Sequence, residues 1–340
     1  MAATRFQKFG NDLYTGARSV DFIGQRKIWY VIAAVLIVAS IIIPLVQGGF
    51  NFGIDFRGGS QFTISDVKTT DQALAESAVQ DVKPDAVVSV SVTSGTGGKG
   101  IRVQTDQLTT QQTKAVAANL GKAYGVPQKN VASTYIGPSW GADVSRQAIQ
   151  GLVVFLALAF IAMALYFRTW KMSAAAILAL FHDLIITAGI YALAGFEITP
   201  ATMIGFLTIL GYSLYDTVVV FDKIRENTHE DEDVMKHTFD ESVNLAVNQT
   251  LVRSINTAVV AALPVGAILF IGAFALGADT LRDISLALFI GILVGTYSTI
   301  FIAAPLYADF RRGEKAIVKH DRKVRATRSK APAVEAVAAK

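Results

Sequence analysis

Four ionisable side chains fall within or at the edge of apolar runs long enough to cross a bilayer: Asp216, Arg253, His182 and Asp183. Asp216 lies in Gly211-Tyr212-Ser213-Leu214-Tyr215-Asp216-Thr217, late in an apolar run that begins near Pro200. An ionised group in hydrocarbon costs about 3 kcal/mol on insertion scales, so such a residue pairs with an opposite charge or lines an ion or proton path. Ser213 and Val220 share its helix face at i−3 and i+4. Two readings stay open: a carboxylate satisfied by a neighbouring helix, and a titrating site that gains and loses a proton. Arg253 opens the following apolar run, and Asn256 and Thr257 share its face at i+3 and i+4. One run ends and the next begins on the same side, so Asp216 and Arg253 are predicted at similar depth, within reach of a charge pair. The other reading of Arg253 is a flank residue that snorkels to the interface. His182 and Asp183 sit near the middle of their run. Adjacent residues point about 100° apart on a helix, so a relay on one face is not predicted for them.

The elements that must position these groups are six apolar runs, at 29–46, 148–167, 172–194, 200–221, 254–276 and 284–308. Runs of about 18 or more apolar residues mark transmembrane helices. The chain of 340 residues is 52% hydrophobic and 17% charged, against about 25% charged in a soluble domain. The first run follows Arg26 and Lys27 but has no small-residue cleavage site after it, and it reads as an uncleaved anchor. Lysines and arginines cluster in 1–28, beside Arg168 and Lys171, after Phe221 and in the tail 309–340. With six spans all of these fall on one side, which predicts cytoplasmic termini. Gly291 and Gly295 form a GxxxG in the last run, a signal for close helix packing.

Between the first two runs, 47–147 is polar and reads as strand, helix, strand, strand, helix, strand. The strands are predicted at 60–65, 86–93, 101–104 and 130–136, and the helices at 70–82 and 109–124. That order is the βαββαβ unit of ferredoxin-like folds. The predicted class is therefore a membrane protein: an all-α six-helix bundle with an extracytoplasmic α+β domain. The segment 222–253 reads as a cytoplasmic loop with helical character, and its acidic run Glu230-Asp231-Glu232-Asp233 as a solvated face. The basic tail is predicted to be disordered and to lie against anionic headgroups.

Several chemistries are disfavoured. Without cysteine there are no disulfides or thiolate metal sites, and four scattered histidines do not suggest a metal centre. Asn51-Phe52-Gly53-Ile54-Asp55-Phe56-Arg57-Gly58-Gly59 is not a phosphate loop, since no Gly-Lys-Ser/Thr follows. Its glycines allow tight turns, and Phe52, Ile54 and Phe56 are predicted to pack on the bilayer surface or under the external domain. No nucleophile–His–acid set is evident, so the chain is not read as an enzyme.

Four motifs resemble the SecF family. Phe52-Gly53-Ile54-Asp55-Phe56-Arg57-Gly58-Gly59 is similar to its signature after the first helix, with Phe52, Gly53, Asp55, Gly58 and Gly59 as signature positions. Gly137-Pro138-Ser139-Trp140-Gly141 resembles the entry to span two, Leu180-Phe181-His182-Asp183 the span-three motif, and 211–227 the span-four signature. Tyr215 stands where that signature often has Asn. The resemblance implies an RND-like half-bundle that faces six helices of a SecD-like subunit. It implies an accessory subunit of the bacterial Sec translocase, in the cytoplasmic membrane, that uses the proton motive force to complete preprotein export. Its implied partners are the SecD-like subunit, the SecY/SecE/SecG channel, the translocating preprotein and the lipid bilayer, with no nucleic acid and no cofactor. Matched onto this sequence, the family's membrane carboxylate falls on Asp216 and its arginine on Arg253, with Ser213, His182, Asp183, Asn256 and Thr257 as supporting polar residues. The alternatives are an RND-type half-transporter for a small molecule or lipid, and a scaffold for the channel.

Overall fold

The computed structural model describes residues 5–95, 98–228, 236–273 and 279–338. Its first half holds α1 (Arg5–Tyr14), α2 (Arg26–Val46), the single turn α3 (Ile54–Arg57), β1 (Gly59–Ile64), α4 (Gln72–Gln80), β2 (Val88–Gly95), β3 (Gly98–Thr105), α5 (Thr110–Ala123) and β4 (Val131–Ile136). Then come α6 (Pro138–Phe167), α7 (Trp170–Leu193), α8 (Pro200–Asn227), α9 (Phe239–Ala267), α10 (Asp279–Ser298), α11 (Ala304–Arg312) and α12 (Lys315–Ala338). Among the described residues six segments are long and apolar enough to cross a membrane: Arg26–Val46, Ser139–Phe167, Trp170–Leu193, Pro200–Asn227, Phe239–Ile271 and Leu281–Arg312. Hydrocarbon supplies no hydrogen-bond partner, so each such segment satisfies its backbone internally as a helix.

The six are not equivalent. About half of α7, α8 and α10 is covered by protein, whereas α2, α6 and α9 leave most of their apolar residues outward. Lipid tails are as apolar as leucine, so burial from water does not sort these helices; close packing does. The GxxxG of α10 lies on α8. A Cβ on Gly291 would overlap Ile209, and one on Gly295 would reach Ser213 Cβ at 3.0 Å. The residues of α8 met by this stripe are thus four apart, like the glycines, and lie on the face that leads to Asp216.

Two π-helical segments interrupt the bundle, Ile268–Ala273 after α9 and Thr299–Ala303 between α10 and α11. Pro305 lies just beyond the second. It has no N–H to give the carbonyl of Phe301, and its ring crowds that carbonyl, so the ladder loses its α register there.

At the cytoplasm-facing end predicted from charge, α8 and α9 extend well past their apolar runs. The segment expected as a loop is instead the end of α8 up to Asn227 and the start of α9 from Phe239. A capping box begins α9, with Thr238 bonded to Glu241, and apolar Phe239, Val243, Ala246 and Val247 line its buried face. Asn244 and Asn248, one turn apart, hold the backbone leading into α2: Asn248 Oδ1 accepts from Val20 N at 2.8 Å and Asn244 Oδ1 from Phe22 N at 2.8 Å. The acidic run Glu230-Asp231-Glu232-Asp233 lies outside the described residues.

The basic tail departs from the expectation of disorder. It is helical as α12, with Ile317 and Val324 buried. Asp321 Oδ1 accepts from Phe239 N at 2.8 Å, and Arg328 bridges Glu241 at 2.7 Å. The tail has few apolar residues, but two at helical spacing find a surface, and its charges find partners on α9.

Between α2 and α6 a four-stranded sheet runs β2-β3-β1-β4, with every neighbouring pair antiparallel. Alternation divides its faces. Phe62, Ile64, Ile101 and Val103 pack against Ala75, Ala78 and Val79 of α4 and Val116, Ala117 and Leu120 of α5. Gln61, Arg102 and Gln104 point to the other face, where they meet the short connection between α7 and α8.

Candidate functional site

Asp216 is 4% exposed on α8. Its Oδ1 accepts a hydrogen bond from Ser254 Oγ at 2.9 Å, and its Oδ2 is buried without a hydrogen-bond partner among the described residues. The predicted pair with Arg253 is not formed within this chain. Ser254 follows Arg253 by one residue, about 100° around α9, and that rotation points the serine inward and the arginine outward. Arg253 and Asn256 are exposed, and Thr257 Oγ1 donates to the Arg253 carbonyl at 2.9 Å. Tyr215, beside Asp216 in sequence, is 55% exposed on the outside of α8. One side of the carboxylate is thus closed by α9, while the cation and its polar neighbours face away from the bundle.

Ser213, predicted on the Asp216 face, is buried, but it donates to Asp183 Oδ2 at 2.6 Å rather than to Asp216. His182 and Asp183 correct the expectation drawn from their adjacency. The two side chains turn towards each other on α7, with His182 Nδ1 3.1 Å from Asp183 Oδ1. The Tyr297 ring of α10 stacks on the imidazole at 6.0 Å between centroids. Thr217, next after Asp216, meets Thr299 of the π-helical segment at 3.0 Å, oxygen to oxygen. The buried polar groups therefore form a column through α7, α8, α9 and α10. Ser254, Thr217, Thr299 and Tyr297 were missed from sequence. Each is a small or aromatic polar residue inside an apolar run, which is the signal that was available.

The signature positions gather at the opposite end, under the four-stranded sheet. Gly53 N donates to the Ile198 carbonyl at 2.9 Å, and Phe52 forms a parallel bridge with Ile198. Ile54 is buried and Phe56 packs with Tyr191, Ile198 and Phe206, so these two lie beneath the domain, whereas Phe52 is exposed. Gly58 and Gly59 have φ of 74° and 145°, and a Cβ on Gly59 would meet the Thr105 carbonyl oxygen at 2.5 Å. Glu197, in the α7–α8 connection, accepts from Gln104 Nε2 at 2.6 Å and lies 3.8 Å from Arg102. Burial pushes the Glu197 carboxyl above its ordinary range, and burial does the same to Asp55 nearby. Among the described residues no three or more His, Cys, Asp or Glu side chains are grouped to hold a metal ion.

Comparison with known proteins gives the lineage of the chain. A family model described as "Protein export membrane protein SecD/SecF, C-terminal" matches residues 116–313, and one described as "SecD/SecF GG Motif" matches residues 45–65. The protein translocase subunit SecF of Streptomyces coelicolor is 43% identical over 325 residues, which cover 95% of this chain and 85% of that protein. The protein translocase subunit SecDF of Thermus thermophilus is 34% identical over 87% of this chain, though this chain spans only 39% of that protein. The crystal structure of SecDF, a translocon-associated membrane protein from Thermus, superposes with a TM-score of 0.72 and 30% identity, over 87% of this chain and 39% of the SecDF chain. These matches run through the GG junction and through the helices carrying the buried carboxylates alike, and the chain belongs to the SecF family of protein translocase subunits.

Proposed function

We propose that this chain is an accessory subunit of the Sec translocase that, with a SecD-like subunit, uses the proton motive force to complete the export of preproteins. The observation that carries this reading is Asp216: a carboxylate 4% exposed in a membrane helix, with one oxygen bonded to Ser254 and the other lacking a partner among the described residues. Nothing in that setting compensates a negative charge by direct contact, so the group is poised to take a proton on Oδ2 and to lose it where water or a cation reaches the site. Each elementary charge moved through the membrane supplies about 2.3 kcal/mol per 100 mV. Arg253 is one residue from the serine that holds Asp216 and faces outward, where the six helices of a SecD-like subunit would pack. A partner acid there would compete with Asp216 for Arg253. Protonation would tip that competition and shift α8 against α9.

The external domain, in this reading, is ferredoxin-like and extracytoplasmic, and it handles the emerging preprotein near the SecY/SecE/SecG channel. The antiparallel order β4-β1-β3-β2, with two helices on one face, supports that fold. The basic residues of α12 and of the segment before α2 support cytoplasmic termini. The test is export of a preprotein into inverted membrane vesicles, with and without a proton gradient. Asp216→Asn is expected to abolish the gradient-dependent part while the subunit still assembles. A gradient response equal to wild type would overturn the proposal.

A further inference from the structure

Asp183 is a second carboxylate in the membrane, and it is more enclosed than Asp216. It is 1% exposed and His182 is 3% exposed. Its Oδ2 accepts a hydrogen bond from Ser213 Oγ at 2.6 Å, and its Oδ1 lies 3.1 Å from His182 Nδ1. With the shared proton on Nδ1, the carboxylate is ionised and both of its oxygens act as acceptors. No lysine or arginine forms an ion pair with it among the described residues; its one ion-pair partner is His182. The surrounding elements supply no other cation at this depth. Residues 31–46 of α2 hold nothing ionisable, 148–167 of α6 hold only Tyr166, 200–221 of α8 hold Tyr212, Tyr215 and Asp216, 284–303 of α10 and the π segment hold only Tyr297, and on α9 the cation Arg253 faces outward with nothing ionisable in 254–267. The remaining charged groups near α7 are at its cytoplasm-facing end, where Lys171 is tied to Glu314 and Arg311 to Glu314 and Tyr307. An ionised Asp183 is therefore neutralised from within its own pair or not at all.

The imidazole is built for that role. With Nδ1 committed to Asp183, the free position is Nε2, which is buried and has no hydrogen-bond partner among the described residues. A proton from a water-borne acid can add there: an N–H bond forms at Nε2, an O–H bond of the hydronium breaks, Asp183 stays a carboxylate, and the charge of the pair goes from −1 to 0. We propose that His182 and Asp183 form a second proton-holding site, linked by Ser213 to the helix that carries Asp216. Ser213 and Asp216 are three apart on α8 and so lie on neighbouring turns of one face. An empty dyad and an empty Asp216 place two negative charges beside the same stretch of α8, so loading either site favours release from the other, and the two titrate as a coupled system. Tyr297, stacked on the imidazole and lacking a partner for its own hydroxyl among the described residues, brings α10 to this pair. The inference rests on the proposed use of protons at Asp216 for its purpose, but the existence of the site does not.

The experiment is solid-state NMR of the full chain in lipid vesicles with 15N-labelled histidine. Four histidines are present, and His182→Gln identifies the resonance of interest by its loss. That resonance is expected to pass between imidazolium and neutral imidazole as pH changes, and to remain neutral throughout in Asp183→Asn. Asp216→Asn is expected to shift its midpoint. A His182 resonance that stays in one form at every pH, or an Asp183→Asn spectrum equal to wild type, would overturn the proposal. Because wild type alone reports the titration, a variant that fails to fold does not decide the outcome. If Asp216→Asn leaves vesicle export unchanged while His182 still titrates, the export reading fails and the dyad stands; if export is lost while His182 never titrates, the reverse holds.

Discussion

Ser254, rather than Arg253, holds Asp216 within this chain, and the two can be separated experimentally. Ser254→Ala leaves Oδ1 of a buried carboxylate without its donor. Leaving one buried polar group unsatisfied costs about 1–3 kcal/mol. The variant is expected to be destabilised by that amount, measured by reversible unfolding in mixed micelles. Arg253→Met removes an exposed side chain and should leave the same unfolding curve within about 0.5 kcal/mol. Equal losses in the two variants would mean that the cation, not the hydroxyl, supports the carboxylate. The identity of Asp216 as a membrane acid was legible because composition alone makes a carboxylate conspicuous in an apolar run. Its partner was not, because a helix's rotation about its own axis decides whether residue 253 or residue 254 faces inward. Charge draws attention to residue 253, one position from the hydroxyl that makes the bond. The same limit applied to His182 and Asp183: 100° separates their Cβ directions, yet side chains of that length can swing together, as the 3.1 Å contact demonstrates.

Elements were legible in proportion to how one-dimensional their signal is. Long apolar runs need no partner to be recognised, and six candidate spans result. The early start of α9 was written in Thr238 and Glu241, three apart, a capping box followed by an amphipathic stretch rather than a continuous apolar run. The helix α12 was illegible because its order depends on docking to α9 through Asp321 and Arg328 rather than on its own composition. The junction of sheet and bundle depends in the same way on residues far apart in sequence, Gln104 of β3 and Glu197 of the α7–α8 connection. Burial is the main cause that raises the Glu197 carboxyl above its ordinary value of 4.5, with Asp283 and Asp55 adding to it and Gln104 and Arg102 opposing. The folded state then holds a proton more tightly than the unfolded one. Its contribution is present below that ordinary value and is lost as pH rises through the raised one. Glu197→Gln keeps an acceptor for Gln104 but cannot ionise. Amide exchange in β3 is expected to speed up in wild type as pH rises through this window, after correction for intrinsic rates, and to change less in Glu197→Gln. Parallel profiles would show that Glu197 does not govern the junction.

At the scale of the whole molecule, the bundle has an inside and an unfinished outside. α7, α8 and α10 are closed around the polar column, yet Tyr215, Arg253 and Asn256 leave polar and charged groups on the outer surface of membrane helices. Exposed to lipid, an arginine at that position would be costly unless it reached an interface or a partner. The chain spans 39% of the SecDF chain it superposes on, so more than half of that molecule lies outside this match. A SecD-like subunit covering this face would complete the surroundings of Arg253. The absence of cysteine makes the idea directly measurable, because any introduced thiol is unique. Asn256→Cys should react readily with a small membrane-permeant maleimide when the chain is purified alone in detergent. Co-assembled with its SecD-like subunit, the same thiol should react at least tenfold more slowly, while Lys114→Cys on the exposed side of α5 should keep its rate. If the two thiols keep the same ratio of rates in both preparations, the partner does not sit on this face, and Arg253 must find its counter-charge in the lipid headgroups instead.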